Sequence, residues 1–265
     1  MKDTPARPVR EAWAAGRPAR NAWLTIPDAH LAEMVAARGS VEAVTLDLQH
    51  GLFDLGTAVH ALRAVAAHGR APLVRLPDID AAVTGYVLDA GAAGVIAPMV
   101  ESPAEAEALV AACRYPPRGR RSHGPTRAAL RPDADVFAAA EQVVAFAMIE
   151  TRTGLERCEE LAAVDGLDGL FVGPGDLGLL LGLGAGQDRD EPELQEAFAR
   201  VLAACRRAGK RIGIHAASAR YAARMAASGF DLVTLWVDAV AISATLAAAA
   251  ETWAQQARSS SGSGS

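Results

Sequence analysis

From residue 22 onward the chain alternates eight times between a short apolar run and an alanine-rich stretch whose apolar residues recur at helical spacing. The runs read as strands over residues 22–26, 43–48, 71–75, 94–97, 143–149, 169–172, 211–215 and 231–236. The clearest helical stretches cover 29–37, 58–68, 105–113, 193–207 and 219–227. Strand–helix alternation of this length implies parallel strands joined by right-handed crossovers, and eight units suffice to close a (β/α)8 TIM barrel of the α/β class. A doubly wound open sheet is the alternative, but no glycine-rich nucleotide loop follows the first strand.

Local signals support the division. Ser102-Pro103-Ala104-Glu105 predicts a capping box with proline at the first helical position, and Thr153-Gly154-Leu155-Glu156 predicts a second box. Gly69, Gly91, Gly209 and Gly229 follow helical stretches where a left-handed cap is needed. Residues 114–135, rich in Pro, Arg and Gly, read as a long functional loop after the fourth strand. No linker divides the chain, so residues 1–258 read as a single barrel domain. Residues 259–265, SSSGSGS, have the composition of a flexible linker and are set aside.

Composition narrows the function. Of the 265 residues 51% are hydrophobic and 22% charged, which is globular composition, and a net charge of −5 gives no electrostatic basis for binding nucleic acid. No apolar stretch reaches the length of a membrane span, and MKDTPARPVREAW lacks the apolar core of a secretion signal. Cys113, Cys158 and Cys205 lie far apart without metal-site spacing, as in a reducing compartment. A cytoplasmic enzyme is the expectation.

Barrel enzymes place their chemistry at the C-terminal ends of strands. Those ends carry Trp23 within the first strand, Asp47, Gln49 and His50 after the second, Arg75 after the third, Glu150 after the fifth and Asp176 after the sixth. Glu150 and Asp176 each follow an apolar strand, FAMIE and GLFVGPGD, where a carboxylate is costly to bury alone. Two converging carboxylates without a His/Cys cluster suit a hard divalent cation. The structural alternative pairs Glu150 with Arg152 and makes Asp176 a helix cap. Arg75, closing APLVR, could stabilise an oxyanion or form a salt bridge at the rim. His50 suits proton transfer, because an unperturbed imidazole changes charge near neutrality, or is a polar rim residue. His123 and His215 are further pocket candidates.

WLTIPDAHLAEMVAARG, DLQHG, PLVRLP, RYPPRG, IETRTG and GPGDL together resemble the HpcH/HpaI aldolase/citrate lyase family, from about Trp23 to Trp253. The likeness is strongest to its class II pyruvate-dependent aldolases. That resemblance implies a metal-dependent carbon–carbon lyase cleaving 4-hydroxy-2-oxo acids to pyruvate and an aldehyde, with aldol addition as the reverse, through an enolate of pyruvate. It implies a cofactor ion, Mg²⁺, Mn²⁺ or Co²⁺, held by Glu150 and Asp176. Arg75 then contacts the pyruvyl carbonyl oxygen, His50 moves the proton and Asp89 of VLDAGAAG pairs with His50. Backbone N–H groups at Gly175 and Asp176 receive the substrate carboxylate, and Trp23 lines the pocket. The implied partners are a small-molecule 2-oxo acid and an aldehyde, with no nucleic acid and no membrane. The implied assembly is a homo-oligomer, a hexamer or trimer of dimers, that uses the last helix.

Three positions depart from the family pattern. Gln49 stands where a glutamate precedes the histidine, Met148 where some relatives carry glutamine, and Trp236 where a small residue is expected. Trp236 is therefore predicted to narrow the aldehyde pocket. Competing readings are a citramalyl- or malyl-CoA-type lyase of the same family, and a non-catalytic barrel that binds keto acids.

Overall fold

The protein is described from a computed structural model, which covers residues 4–130 and 135–261. Eight parallel strands close into a barrel in sequence order: β1 (Ala19–Leu24), β2 (Ala43–Asp47), β3 (Ala71–Arg75), β4 (Gly94–Ala97), β5 (Val144–Ile149), β6 (Gly169–Val172), β7 (Arg211–Ile214) and β8 (Leu232–Val237). The helices among the described residues are α1 (Arg7–Ala14), α2 (Ala29–Arg38), α3 (Leu55–Ala67), α4 (Ala81–Asp89), α5 (Pro103–Cys113), α6 (Val136–Glu141), α7 (Arg152–Glu156), α8 (Cys158–Ala162), α9 (Pro174–Leu180), α10 (Pro192–Arg207), α11 (Ala219–Ala227) and α12 (Asp238–Ser261). None is long and apolar enough to cross a membrane.

Local chemistry sets most boundaries. The Ser102–Glu105 capping box forms as predicted, and Gly69, Gly91, Gly209 and Gly229 all take positive φ. The second box is displaced. Thr151, not Thr153, caps α7 and accepts the N–H of Gly154.

Apolar residues divide between two layers because strand side chains alternate. Ala22, Leu24, Val44, Leu46, Val74 and Ile149 face outward onto the helices, whereas Trp23, Leu73, Phe146, Met148 and Phe171 fill the interior. Midway up the barrel the fully buried Asn21 bonds Thr234 at 3.1 Å and receives the hydroxyl of Thr45 at 2.9 Å, so this polar layer is satisfied internally.

Helix α1 closes the N-terminal end of the barrel. Trp13 is buried against Phe146, with ring centroids 6.2 Å apart, and donates its indole N–H to the Asp231 carbonyl at 2.8 Å. Arg10 reaches the Gln142 carbonyl at 2.9 Å and the Asp168 carboxylate at 2.9 Å. The hydrogen-bond partners Gln142, Asp168 and Asp231 all lie just before strands, so the helix is the barrel's floor.

Two expectations are corrected here. Residues 114–130 follow α5, not β4 directly, and return to the floor: buried Arg114 bonds the carbonyls of Ala140 and Val143 just before β5. His123 of this segment stacks on Phe137 at 5.5 Å and lies at the end opposite the strand C-termini. Residues 131–134 of the predicted loop lie outside the described residues. Secondly, α12 runs on to Ser261, three residues into the linker-like segment, and residues 262–265 lie outside the described residues.

The β1–β8 register shifts between Asn21 and Ala22: Asn21 pairs with Thr234, but Ala22 pairs with Trp236 and Trp23 with Val237. This bulge inserts Leu235 as an extra residue and reverses the alternation above it. Trp236 therefore packs on the outer, helix-facing layer, while Val237 faces inward. The prediction that Trp236 narrows the pocket is overturned.

Candidate active site

At the C-terminal mouth the residues converge around a buried ion pair. Asp47 and Arg75 are register partners at the ends of β2 and β3, and both face inward. Arg75 donates through Nε to Asp47 Oδ1 at 2.9 Å and through Nη2 to Oδ2, a bidentate fork. Asp47 also accepts the indole N–H of Trp23 at 3.1 Å and the backbone N–H groups of Gln49 and His50, each at 3.0 Å. Burial alone would push its carboxyl up, but the Arg75 fork and these donors hold it below the ordinary range. Nη1 of Arg75 has no protein partner among the described residues. Trp23 lies beneath this group, its ring centroid 5.1 Å from the guanidinium carbon.

Glu150 stands across the mouth at the end of β5. It is 4% exposed and accepts the backbone N–H of Met99 at 2.8 Å. Met99 holds a left-handed φ of 55°, which turns that N–H toward the carboxylate. Gly173 leaves room on the other side: a Cβ there would lie 2.7 Å from Glu150 Oε2. Burial pushes the Glu150 carboxyl up to about 7; the Met99 N–H and Arg75 oppose this, and the adjacent Asp176 adds to it. Asp176 comes from the first turn of α9 and is exposed, so the burial cost argued from sequence applies to Glu150 alone.

The structural alternatives fail for this pair. Glu150 has no ion pair with Arg152 among the described residues, and Asp176 lies inside the first turn of α9 with Gly173 at the cap position. A buried carboxylate that titrates close to neutrality, a second one at the rim and a glycine that leaves room beside the first fit a hard divalent cation. Among the described residues no group of three or more His, Cys, Asp or Glu side chains could hold a metal, so a cation at this mouth would have these two carboxylates as its side-chain ligands.

The other predicted residues fall as follows. His50 is exposed at the rim, in the turn that its backbone N–H fixes to Asp47. Gln49 is half-buried, and its Oε1 is sealed without a partner. Gly175 opens α9 beside Asp176. His215 follows β7 and meets the edge of Trp23 with centroids 4.8 Å apart. Asp89 does not reach His50. It ends α4, at the floor end of the barrel, and bonds Arg121 at 2.5 Å. The helix runs back from the mouth after β3, so within one chain the pair is separated by the barrel's height.

Sequence reasoning assigned no role to Asp47, although its shared alternation with Thr45 and its position opposite Arg75 were available signals. It also missed Asp238, fully buried at the head of α12, which accepts the N–H groups of Thr25 and Ile26 at 2.9 and 2.8 Å. Nothing in the sequence marked Met99.

A closed parallel barrel that gathers a carboxylate pair and a buried arginine at its C-terminal mouth has the layout of a (β/α)8 barrel enzyme. The chain belongs to the HpcH/HpaI aldolase/citrate lyase family, whose sequence profile matches residues 22–244. It is 44% identical over 89% of its length to a hydroxypyruvate/pyruvate aldolase of Rhizorhabdus wittichii, covering 94% of that protein. It is 34% identical over 97% of its length to a 4-hydroxy-2-oxovalerate aldolase of Rhodococcus jostii, covering 99% of that protein. The crystal structure of an HpcH/HpaI family protein from Burkholderia cenocepacia superposes with a TM-score of 0.78, at 31% identity, over 91% of this chain and 95% of that one.

Proposed function

We propose that the protein is a divalent-metal-dependent aldolase that cleaves 4-hydroxy-2-oxo acids to a 2-oxo acid and an aldehyde and runs the reverse addition. The 2-oxo acid is pyruvate or its hydroxylated analogue hydroxypyruvate. The observation that carries the reading is the buried Glu150 beside Asp176, within electrostatic reach of Arg75, whose Nη1 is free of protein partners among the described residues. When bound by these two carboxylates, Mg²⁺, Mn²⁺ or Co²⁺ would supply Lewis acidity toward the oxygens of the 2-oxo acid.

Arg75 is held by Asp47, so its Nη1–H is aimed without reorganisation at the C2 oxygen, where negative charge grows. The backbone N–H groups of Gly175 and Asp176 take the substrate carboxylate. His50 accepts the proton of the 4-hydroxyl, directly or through water. The C3–C4 pair then passes to the C2–C3 unit, the aldehyde leaves, and the enolate is protonated at C3 to give the free 2-oxo acid. Trp23 excludes water from below.

Because Asp89 cannot reach His50 of its own chain, the dyad is completed by a second copy in a homo-oligomer. The last helix supports this assembly. Ile242, Leu246 and Trp253 lie on one face of α12 and are 40, 66 and 80% exposed, an apolar stripe that the chain itself does not cover. Cys113, Cys158 and Cys205 are buried and free, in keeping with a cytoplasmic location. Pyruvate methyl exchange in D₂O, followed by proton NMR with Mn²⁺ or Mg²⁺, tests the reaction. Exchange that chelator abolishes is expected; no metal-dependent exchange at millimolar pyruvate would refute the aldolase reading.

A further inference from the structure

The steps above leave His215 without a role. Its N–H donates to the Val172 carbonyl at 3.2 Å, which prolongs the β6–β7 ladder by one residue. Gly213, two residues earlier, faces the interior, where a side chain would collide with the Phe171 ring. Alternation therefore points His215 inward, one layer nearer the mouth. The imidazole stands at 89° to the Trp23 ring, and its Nδ1 lies 3.0 Å from Oε1 of Gln187. Gln187 belongs to the segment between α9 and α10, which is anchored by the next residue: Asp188, at a φ of 55°, accepts the N–H of Ala217 at 2.8 Å.

The ring is thus fixed on two sides, and Nε2 alone is left. It has no partner among the described residues and is not among the polar atoms sealed from solvent, so it opens to the mouth. Burial and the charge of Arg75 push the imidazole down to about 4, so near neutrality the ring is uncharged and takes up no second proton, and Nε2 is a neutral hydrogen-bonding nitrogen.

We propose that His215 selects the 2-oxo acid used as nucleophile, favouring one with a hydroxyl on C3 over one that ends in a methyl group. The inference rests on the aldolase reading for the placement of the substrate. Arg75, which takes the C2 oxygen, and His215 both contact the same Trp23 ring. With the C1 carboxylate taken by the backbone of Gly175 and Asp176, C3 is the carbon on C2 left to lie toward His215. His50 follows β2 on the other side of β1, so the aldehyde half lies away from it. A hydroxyl donates and accepts, so it satisfies Nε2 in either tautomer. A methyl group displaces water from Nε2 and returns nothing, which is the asymmetry by which polar sites reject an analogue lacking the hydroxyl.

The test compares hydroxypyruvate with pyruvate in excess Mn²⁺, by calorimetric affinity and by C3-proton exchange in D₂O, for the wild type, His215→Leu and His215→Asn. The wild type should favour hydroxypyruvate roughly tenfold or more in both readouts. Leucine should erase that ratio and asparagine should restore most of it. Should the leucine variant fail to fold, Gln187→Ala, which frees the ring without altering it, should lower the same ratio. A wild-type ratio near one, or a ratio indifferent to residue 215 and to Gln187, overturns the proposal. Failure of the aldolase reading looks different: neither acid exchanges, while the affinity ratio still follows residue 215.

Discussion

Replacing Asp47 with asparagine keeps the shape of the side chain and removes the charge on which the site is built. Oδ1 receives Arg75 Nε, Gln49 N and His50 N, while Oδ2 receives Trp23 Nε1 and Arg75 Nη2. An amide must set its NH₂ against one of these groups of donors. The milder orientation faces Oδ2 and loses two bonds, one of them to a guanidinium. A neutral bond contributes about 0.5–1.5 kcal/mol and a charged one about 1.5–3 kcal/mol, and a buried arginine left without its counter-charge costs about 3–5 kcal/mol. A destabilisation of about 3–5 kcal/mol follows, which is about 6–20 °C in Tm for a chain of this size. Urea unfolding followed by tryptophan fluorescence measures it, alongside kcat/KM for pyruvate-forming cleavage, which should fall at least roughly a hundredfold as the Arg75 fork loses its aim. The wild-type advantage also has a defined pH course. The folded carboxyl titrates below its ordinary value, so the advantage is complete at neutral pH and begins to shrink below about pH 4, where the unfolded carboxyl takes up protons. It is lost as the pH falls through the folded value. A loss under about 1 kcal/mol with wild-type turnover would refute the reasoning.

Glu150→Gln and Asp176→Asn should each weaken Mn²⁺ binding by calorimetry and abolish cleavage. Because burial raises the Glu150 carboxyl to about 7, the metal-free protein should lose stability as pH rises from 5 to 8, and thermal melts of Glu150→Gln should be flat over that range. Arg75→Lys should lose most activity despite keeping its charge, since an ammonium cannot both grip Asp47 in two places and present a third donor; near wild-type kcat would relegate the fork to structure. Trp236→Ala should cost about 2–4 kcal/mol in urea unfolding and leave relative rates across short and long aldehydes unchanged, because the indole packs outside the barrel. Trp253→Glu should shift the sedimentation profile toward smaller species; an unchanged profile would remove α12 from the interface.

The alternation of short apolar runs with helical stretches was enough to place every strand, because each parallel strand is buried on both faces and leaves a run in the sequence. Glu150, Asp176, Arg75 and Trp23 were legible as strand-end residues, and the fold brings them together. What was not legible depended on parity and on distance. A single inserted residue at Leu235 decided that Val237, and not Trp236, faces inward, and no local signal announces such a bulge. Asp89 was assigned by resemblance, yet α4 carries it to the far end, a placement that only the direction of the helix determines. Met99 contributes a backbone N–H, which any residue could supply. Helix α1 escaped notice because its apolar stripe, Val9, Ala12 and Trp13, is short and its partners are remote.

That remoteness imposes an order of assembly. Arg10 and Trp13 are held by groups 132 to 218 residues further along the chain. On the ribosome the floor is made first and fitted last, since its set of anchors is complete only when Asp231 has emerged. For much of synthesis the segment carries an unsheltered indole and an arginine without its acceptors, a natural handle for a chaperone. Joining the ends of the domain and reopening the chain after α1 would move the floor to the end of translation, beside barrel rims already formed. Such a permutant should reach the native state with less dependence on chaperones than the parent, even where its equilibrium stability is no greater.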